Sequence, residues 1–287
     1  MTDAVTIYEV GPRDGLQNEP APVPVAARLG LIEALAEAGL REVEVGSFVS
    51  PKWVPQMAGS DAVLAAAREI AGIRPWVLVP NMKGWEAFEA AGAGAGVAVF
   101  VSASEGFSRA NLNCSVDESL DRLRPVAEAA RAAGVPLRGY VSCLVACPYD
   151  GPVAPEAVAR VARGLAALGI DRLSLGDTIG AGEPETVRPA VRAALECGDW
   201  AEVAGHFHDT GGRALANVEA CLDLGLRAFD AAAGGLGGCP YAPGAPGNLA
   251  TEALVARLHA LGMRTGVDEA RLAQAAAMAR GLRGGDG

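Results

Sequence analysis

Two of the three histidines in this chain, His206 and His208, are separated by a single residue. Residues two apart in a strand point to the same side, so both imidazoles can face one ligand. Two neutral imidazoles, a carboxylate and an amide form a mixed nitrogen and oxygen site that suits Mg2+ or Mn2+. Asp14 and Asn248 are candidates for the carboxylate and the amide. Two hydrogen-bonded core histidines are the alternative, but the position before Asp209 at a strand end favours the metal.

A thiol, Cys239, lies in the glycine- and proline-rich stretch 234–248. Glycine permits positive φ angles and close approach to a ligand, and proline keeps the stretch out of helices and inner strands. We interpret the stretch as an active-site loop with Cys239 as its reactive group. An ordinary turn with an incidental thiol fits these residues equally well when they are considered alone.

Arg13 and Glu44 are charged residues in unusual settings. Arg13 follows the turn Gly11-Pro12, which directs its side chain over the end of the first predicted strand. A fixed guanidinium in that position can stabilise an enolate or carboxylate oxygen. Glu44 lies between Val43 and Val45, where burial of a carboxylate without a partner is unfavourable. Arg13 is the partner that we expect for Glu44.

The composition excludes several classes of function. The formal net charge is -10 and the pI is near 4.9, whereas binding to nucleic acid or to anionic membranes needs a basic excess. The six cysteines form no CxxC pair, and the first residues lack the features of a signal peptide. We therefore expect a cytoplasmic protein with reduced thiols that binds neither nucleic acid nor membranes. An anionic substrate would need a local basic cluster.

Short β-like runs alternate with amphipathic helical patterns in eight pairs. Several of the helical patterns end in a glycine directly before the next strand, which is typical of a left-handed C-cap. Eight such units predict the α/β class and a single (β/α)8 TIM barrel over residues 1–287, with a C-terminal helical extension over 265–287. The predicted strands are 5–10, 42–46, 75–79, 97–102, 137–142, 172–175, 203–208 and 228–232. The predicted helices are 25–38, 61–70, 83–91, 116–133, 155–168, 183–195, 212–224 and 249–261.

The residues singled out above follow the ends of predicted strands. Active sites of such barrels form at the C-terminal ends of the strands. Arg13 and Asp14 follow the first strand, Glu44 lies in the second, and the two histidines end the seventh. Asp177 follows the sixth strand, either as a partner of a metal ligand or as a cap of the next helix.

Several long motifs resemble the 3-hydroxy-3-methylglutaryl-CoA lyase (HMG-CoA lyase) family. The resemblance covers about residues 5 to 265. The motifs that carry it are Val10-Gly11-Pro12-Arg13-Asp14-Gly15-Leu16-Gln17-Asn18-Glu19, the segments 47–57, 138–143, 174–180, 206–210 and 247–252, and Gly235-Leu236-Gly237-Gly238-Cys239-Pro240-Tyr241-Ala242.

The resemblance implies a role for each matching residue. It implies that Arg13 and Glu44 are catalytic, that Cys239 transfers a proton, and that Asp14 acts as a base or orients one. The implied metal ligands are Asp14, His206, His208 and Asn248. The candidate substrate-binding residues are Arg13, Ser47 and Arg138, together with Asn81 and Lys83, which are candidates by position only.

The implied reaction is the cleavage of (S)-3-hydroxy-3-methylglutaryl-CoA to acetyl-CoA and acetoacetate, as in leucine degradation. The resemblance also implies Mg2+ or Mn2+ as cofactor and an acyl-CoA as ligand. We expect a homo-oligomer, with a dimer as the first state to consider. The chain departs from the family pattern at 211–213 and 232–234. The first departure predicts a larger pocket that accepts bulkier 3-alkyl groups. A Claisen-condensing synthase of the isopropylmalate-synthase type and a non-catalytic, metal-stabilised binding barrel remain as alternatives.

Overall fold

The structure is a computed structural model that describes residues 3–239 and 242–283, without the side chains of 238–246. The strands found in these residues are β1 Thr6–Glu9, β2 Glu42–Ser47, β3 Arg74–Leu78, β4 Gly96–Ser102, β5 Leu137–Ser142, β6 Ala146–Cys147, β7 Gly151–Pro152, β8 Arg172–Asp177, β9 Glu202–Phe207, β10 Ala228–Ala231, β11 Gly238–Cys239 and β12 Ala242–Pro246. The α-helices are α1 Val25–Glu37, α2 Ser60–Ala67, α3 Met82–Ala90, α4 Glu105–Leu112, α5 Val116–Ala132, α6 Pro155–Ala167, α7 Pro184–Leu195, α8 Ala214–Asp223, α9 Thr251–Ala260 and α10 Glu269–Gly281. Shorter helical turns lie at Gly11–Gly15, Pro55–Met57 and Ala233–Gly235.

Eight parallel strands close into a barrel in the order β1-β10-β9-β8-β5-β4-β3-β2. The predicted TIM barrel is therefore confirmed, and its strands and helices lie close to their predicted bounds. Barrel strands are buried on both faces, so they read as nearly continuous apolar runs in the sequence. One large cluster of buried Val, Leu, Ile and Ala side chains joins the outer face of the barrel to the helices.

Aromatic side chains fill the N-terminal end of the barrel interior. Tyr8 and Trp76 meet edge to face, with ring centroids 5.7 Å apart, next to the small side chains of Ala204 and Ala228. The indole N–H of Trp76 donates to Glu42 at 2.6 Å. Aromatic rings and their carboxylate partner thus fill this end of the barrel together.

Three features were not predicted from the sequence, α4 and the β6–β7 and β11–β12 hairpins. The first two contact each other. Ser104 caps α4 by accepting a hydrogen bond from the Phe107 N–H at 3.1 Å. Asp150, in the turn between β6 and β7, accepts from the Ser104 hydroxyl and from the Gly106 N–H, both at 2.7 Å. Gly106 and Asn111 lower the helix propensity of α4, so this tertiary contact adds stability that the helix needs.

The predicted C-terminal helix is confirmed as α10, which packs against α1 and against the turn at Ala233–Gly235. Arg283, just after α10, donates to the carbonyl oxygen of Gly234 at 2.8 Å. Arg280 donates to Glu252 at 2.8 Å, and Glu252 accepts from the Gly234 N–H at 3.0 Å. The extension therefore holds the turn that precedes Cys239. In the part of the chain described, no helix is both long and apolar enough to cross a membrane.

Candidate active site and metal centre

A single π-helical turn at Gly11–Gly15 places Arg13 and Asp14 at the C-terminal end of the barrel. A Cβ atom at Gly11 would lie 2.6 Å from Glu9 Oε1, and one at Gly15 would lie 2.6 Å from Leu236 Cβ. Both glycines are therefore needed for the turn to fit between β1 and the segment before Cys239. The turn presents two adjacent residues of opposite charge over the barrel.

Arg13 is fixed by two carboxylates. Its Nε lies 3.0 Å from Glu44 Oε1, its Nη2 donates to Glu44 Oε2 at 3.0 Å, and its Nη1 donates to Asp14 Oδ1 at 2.7 Å. The Tyr140 hydroxyl also donates to Glu44 Oε2, at 2.6 Å. Burial opposes the charged form of Arg13, but the charges of Glu44 and Asp14 outweigh it and raise its pKa. The structure thus forms the expected Arg13–Glu44 pair.

Asp14, His206 and His208 come together at the same end of the barrel. Each offers one ligand atom, and these atoms all lie within 4.8 Å of one another. Asn248 forms an isolated bridge with His208, and its Nδ2 donates to Asp14 Oδ2 at 2.8 Å. The structure therefore gathers all four residues that the sequence proposed as metal ligands.

The chemistry of these residues fits a divalent cation. Nδ1 of His208 is buried without a hydrogen-bond partner among the described residues, an unfavourable state for a nitrogen that binds nothing. Burial would raise the pKa of Asp14, but the charges of Arg13 and the histidines hold it well below its usual range. Imidazole nitrogens, an ionised carboxylate and an amide provide the mixed donor set that such ions accept.

The two histidines have different surroundings. His206 Nδ1 lies 3.1 Å from Asp230 Oδ2. Burial lowers the pKa of His206, but the hydrogen bond and the charge of Asp230 outweigh it, so the pKa is raised. Burial, followed by the charge of His206, lowers the pKa of His208 to about 4. His208 is therefore neutral at physiological pH even before any ligand binds.

The candidate substrate-binding residues lie at different depths. Ser47 is buried at the end of β2, and its N–H donates to Ser60 Oγ at 3.0 Å. Asn81 and Lys83 are exposed at the start of α3, where Asn81 accepts from the Gly84 N–H as the N-cap. These two exposed positions follow β3 at the end of the barrel that carries the metal cluster.

Arg138 does not lie at the rim of the barrel. It is 2% exposed, pairs with Asp230, and has its guanidinium carbon 3.9 Å from the centroid of the Tyr8 ring. Arg138 lies deeper in the barrel than the metal cluster, where it contacts Asp230, Tyr140 and Tyr8. The substrate-binding role of Arg138 remains a prediction that this position does not favour.

The predicted roles of Cys239 and Asp177 are the ones that the structure describes least. The side chain of Cys239 is outside the described residues, and its backbone lies in β11, which pairs with β12. Asp177 accepts from the N–H groups of Ala181 at 3.2 Å and Gly182 at 2.8 Å, in the turn before α7. The N-cap of α7 is Glu183, so the prediction that Asp177 caps this helix is wrong, and its role as a partner of a metal ligand stays a prediction.

Sequence reasoning missed Tyr140 and Asp230. Asp230 lies in the apolar strand Ala228–Ala231, so it carries the same signal that identified Glu44, a carboxylate inside a buried run. Tyr140 is two residues from Arg138, and strand alternation places both on the inner face. Applying these two rules to every strand would have found both residues.

A model of the HMGL-like family matches residues 4–279. The chain belongs to the HMGL-like family. It is 56% identical to the hydroxymethylglutaryl-CoA lyase of Pseudomonas mevalonii over 94% of this chain and 90% of that protein. It is 52% identical to the 3-hydroxy-3-isohexenylglutaryl-CoA/hydroxy-methylglutaryl-CoA lyase of Pseudomonas aeruginosa over 92% of this chain and 88% of that protein.

A solved structure supports the same relationship. The crystal structure of the HMG-CoA lyase from Brucella melitensis superposes with a TM-score of 0.95 at 54% sequence identity, covering 98% of this chain and 99% of that one. The HMGL-like match at 4–279 includes every residue of the metal cluster and the Arg13–Glu44 pair. The family assignment and the site geometry therefore refer to the same part of the molecule.

Proposed function

We propose that this chain is a lyase that cleaves (S)-3-hydroxy-3-methylglutaryl-CoA to acetyl-CoA and acetoacetate, with Mg2+ or Mn2+ as cofactor. One observation carries the proposal: Asp14, His206 and His208 form a metal-ligand cluster beside the buried Arg13–Glu44 pair. Relatives at 56% and 52% identity are named as lyases of this class. The relatives identify the substrate, and the cluster supplies groups that suit its cleavage.

The reaction has three chemical events. The tertiary hydroxyl at C3 loses its proton, and the bond between C2 and C3 breaks. The electron pair of that bond passes into the thioester as an enolate, while C3 becomes the ketone carbon of acetoacetate. Protonation of C2 then gives acetyl-CoA. A divalent cation held by Asp14, His206, His208 and Asn248 supplies Lewis-acid polarisation of the substrate oxygens.

Arg13 is suited to stabilise the enolate oxygen. Its hydrogen bonds to Asp14 and Glu44 use one N–H group on each of Nη1 and Nη2, and the guanidinium has further N–H groups that can donate to a substrate. Because Glu44 accepts from both Arg13 and Tyr140, the guanidinium is held before the substrate arrives. A cation fixed in advance stabilises developing negative charge without reorganisation during the reaction.

The proton steps are assigned to Asp14 and Cys239. Asp14 stays ionised at neutral pH, so it can accept the hydroxyl proton or orient the group that does. Cys239 follows the turn at Ala233–Gly235 and is the proposed donor to C2 of the enolate. Cys239→Ser should lower cleavage about 100-fold, as for loss of a positioned proton donor, with the circular dichroism spectrum unchanged. Near-normal turnover of this variant would assign the donor elsewhere.

The test of the proposal follows both products from (S)-3-hydroxy-3-methylglutaryl-CoA. The purified protein is treated with EDTA and then supplied with Mg2+ or Mn2+. Acetyl-CoA and acetoacetate should form in equal amounts, only after the cation is restored. His208→Gln should abolish this recovery, while the matched variant His259→Gln, on α9, should keep it. Full activity without metal would contradict the cation role, and consumption of acetyl-CoA would identify the condensing alternative.

We further propose that the site accepts 3-alkyl groups larger than methyl. The segment at 211–213 follows the end of β9, and Arg213 pairs with Glu183 at 3.0 Å. One relative carries a 3-isohexenyl substrate in its name. The test compares kcat/KM for the 3-methyl and 3-isohexenyl substrates. Values within about 100-fold would support the broader range, and turnover of the 3-methyl compound alone would contradict it.

The cellular role follows from the same proposal. We place the protein in the cytoplasm, in leucine degradation, with an acyl-CoA as its ligand and neither nucleic acid nor membrane as a partner. We also propose a homo-oligomer, with a dimer as the first state to test. Light scattering coupled to gel filtration measures the mass in solution, and a mass of one chain would contradict the oligomer.

A further inference from the structure

Asp230 lies directly beside one of the metal-binding histidines. In the register of β10 and β9, Asp230 and His206 are paired residues, so both side chains enter the barrel at the same level. The distance from His206 Nδ1 to Asp230 Oδ2 is 3.1 Å. Asp230 is 2% exposed, so this contact is shielded from water. A buried carboxylate in this position needs further partners.

Those partners come from two other strands. Arg138, from β5, donates through Nη2 to Asp230 Oδ1. Ser174, from β8, donates its hydroxyl to Asp230 Oδ2 at 2.7 Å. A carboxylate paired with a guanidinium acts only as an acceptor, so the hydrogen of the contact with His206 must lie on Nδ1. The lone pair of His206 is then on Nε2.

We propose that Asp230 is a positioning residue of the metal centre, which fixes His206 in the tautomer with the proton on Nδ1 and leaves Nε2 to bind the cation. Arg138 and Ser174 hold Asp230 in the orientation that this requires. The inference rests on the metal site of the proposed function. It gives Arg138 a role in supporting the site from below. A carboxylate that orients a metal-binding histidine in this way also makes the imidazole a stronger ligand.

Asp230→Asn tests the proposal because Arg138 dictates how the new amide must lie. The guanidinium is a donor, so the amide oxygen of the asparagine should face Arg138. The amide NH2 then faces His206 and can only donate to Nδ1. His206 would be driven into the opposite tautomer, with its proton on Nε2, where it blocks the metal. The variant keeps the shape of the side chain and changes only the direction of the hydrogen bond.

The first measurement is the affinity for Mn2+ alone, followed by electron paramagnetic resonance. Asp230→Asn should weaken binding by about 10- to 100-fold, the usual range for loss of a group that supports a metal ligand. The matched control is Glu42→Gln, a buried carboxylate that accepts from Trp76 and pairs with Arg74 but contacts neither histidine of the cluster. Its Mn2+ affinity should stay within about twofold of the wild type.

The second measurement is the tautomer itself. The chain has three histidines, so 15N labelling of histidine gives a spectrum simple enough to assign. In the Mg2+-saturated wild type we expect the proton of His206 on Nδ1, and in Asp230→Asn on Nε2. A merely structural role for Asp230 would not reverse the tautomer. An unchanged tautomer, or Mn2+ affinity within about twofold of the wild type, would overturn the proposal.

Ser174→Ala provides a second route if Asp230→Asn fails to fold, since Arg138 would lose its anion there. This variant removes one hydrogen bond to Asp230 Oδ2 and leaves the ion pair in place. Mn2+ affinity should fall about 2- to 10-fold, less than for Asp230→Asn because the ion pair with Arg138 still holds the carboxylate, and an unchanged affinity would count against the proposal. If the wild type itself binds no Mn2+, the metal centre and this inference fail together. If the wild type binds Mn2+ and both variants bind it equally tightly, the inference about Asp230 is wrong while the metal centre is retained.

Discussion

Buried charges in this chain have ionic partners in one region and neutral partners in another. In the barrel interior, Arg13 faces Glu44 and Arg138 faces Asp230. Glu9, at the end of β1, instead accepts from the N–H groups of Gly11 and Ala233 and from the Thr251 hydroxyl. Arg28, in α1, likewise donates to the carbonyl oxygens of Val45 and Ala58 and lies near the Ser60 hydroxyl. All the partners named for Glu9 and Arg28 are neutral.

This difference determines how each charge responds to pH. Burial raises the pKa of Glu9 to about 7 and lowers that of Arg28 to about 10, so both shift toward neutrality. In Asp230, burial acts in the same sense, but the charge of Arg138 and the hydrogen bond of His206 outweigh it and lower the pKa. The charges in and beside the site, Arg13, Asp14 and Asp230, are thus kept ionised by their partners. Charges that join structural elements are held by backbone groups.

The largest effect should come from Arg13→Lys, which alters an ionic pair. Lysine keeps the charge but loses the planar fork that contacts Glu44 through two nitrogens. We expect kcat to fall at least about 100-fold, as when a donor to a developing oxyanion is removed. The free energy of unfolding should change little. Steady-state kinetics on the metal-loaded enzyme measures kcat.

Arg124→Lys, on the exposed surface of α5, is the matched control and should leave kcat unchanged. If Arg13→Lys keeps the wild-type kcat and only KM rises, Arg13 anchors the substrate and does not stabilise the enolate. Arg13 would then be a binding residue, and its ionic partners would not mark it as a catalytic group.

Glu9→Gln tests the neutral-partner region through pH. The folded pKa is about 7 against an ordinary value of 4.5, so the folded state binds more protons between these values. The contribution of Glu9 to the stability of the wild type must therefore fall as pH rises from about 4.5 to about 7 and then level off. Burial is the main cause, and the charge of Glu252 on α9 adds to it.

Glutamine stays neutral and can still accept from both backbone N–H groups. At pH 8 we expect Glu9→Gln to be more stable than the wild type, by an amount on the order of 3 kcal/mol at most, and at pH 4.5 the two should be similar. Urea unfolding at several pH values measures the difference. A stability difference that does not change with pH would show that Glu9 has an ordinary pKa in the folded state.

The sequence predicted the barrel and much of the site because both depend on local patterns. His206 and His208 share a face by strand alternation alone, and Asp14 is adjacent to Arg13 in one turn. The contact of Asp230 with His206 depends on the register between two strands, which no local pattern encodes. Arg138 was recognised within a motif, but its depth in the barrel depends on tertiary packing. The role of Cys239 stays a prediction, since its side chain is outside the described residues.

The smallest effect should come from Arg28→Met, which tests whether a charge with neutral partners acts through hydrogen bonds alone. Val45 is the extra residue of a bulge between β2 and β3, and Arg28 Nη2 donates to its carbonyl oxygen at 3.1 Å. The Arg28 side chain also reaches Ala58 O at 3.0 Å. Methionine fills similar space but leaves these two oxygens without that donor.

The bulge follows Glu44, so Arg28 could also influence the site from a distance. If its role is structural, Arg28→Met should lower the free energy of unfolding by about 2 kcal/mol and leave kcat within about twofold. This loss of stability is the cost of leaving the buried Val45 carbonyl and the partly buried Ala58 carbonyl without this donor, less the relief of a buried charge. Arg41→Met removes an exposed contact with the Gly72 carbonyl and should change stability by less than about 0.5 kcal/mol. Urea unfolding and steady-state kinetics measure both variants. A fall in kcat of tenfold or more with unchanged stability would show that Arg28 positions Glu44 through the bulge, and the two regions would then be coupled.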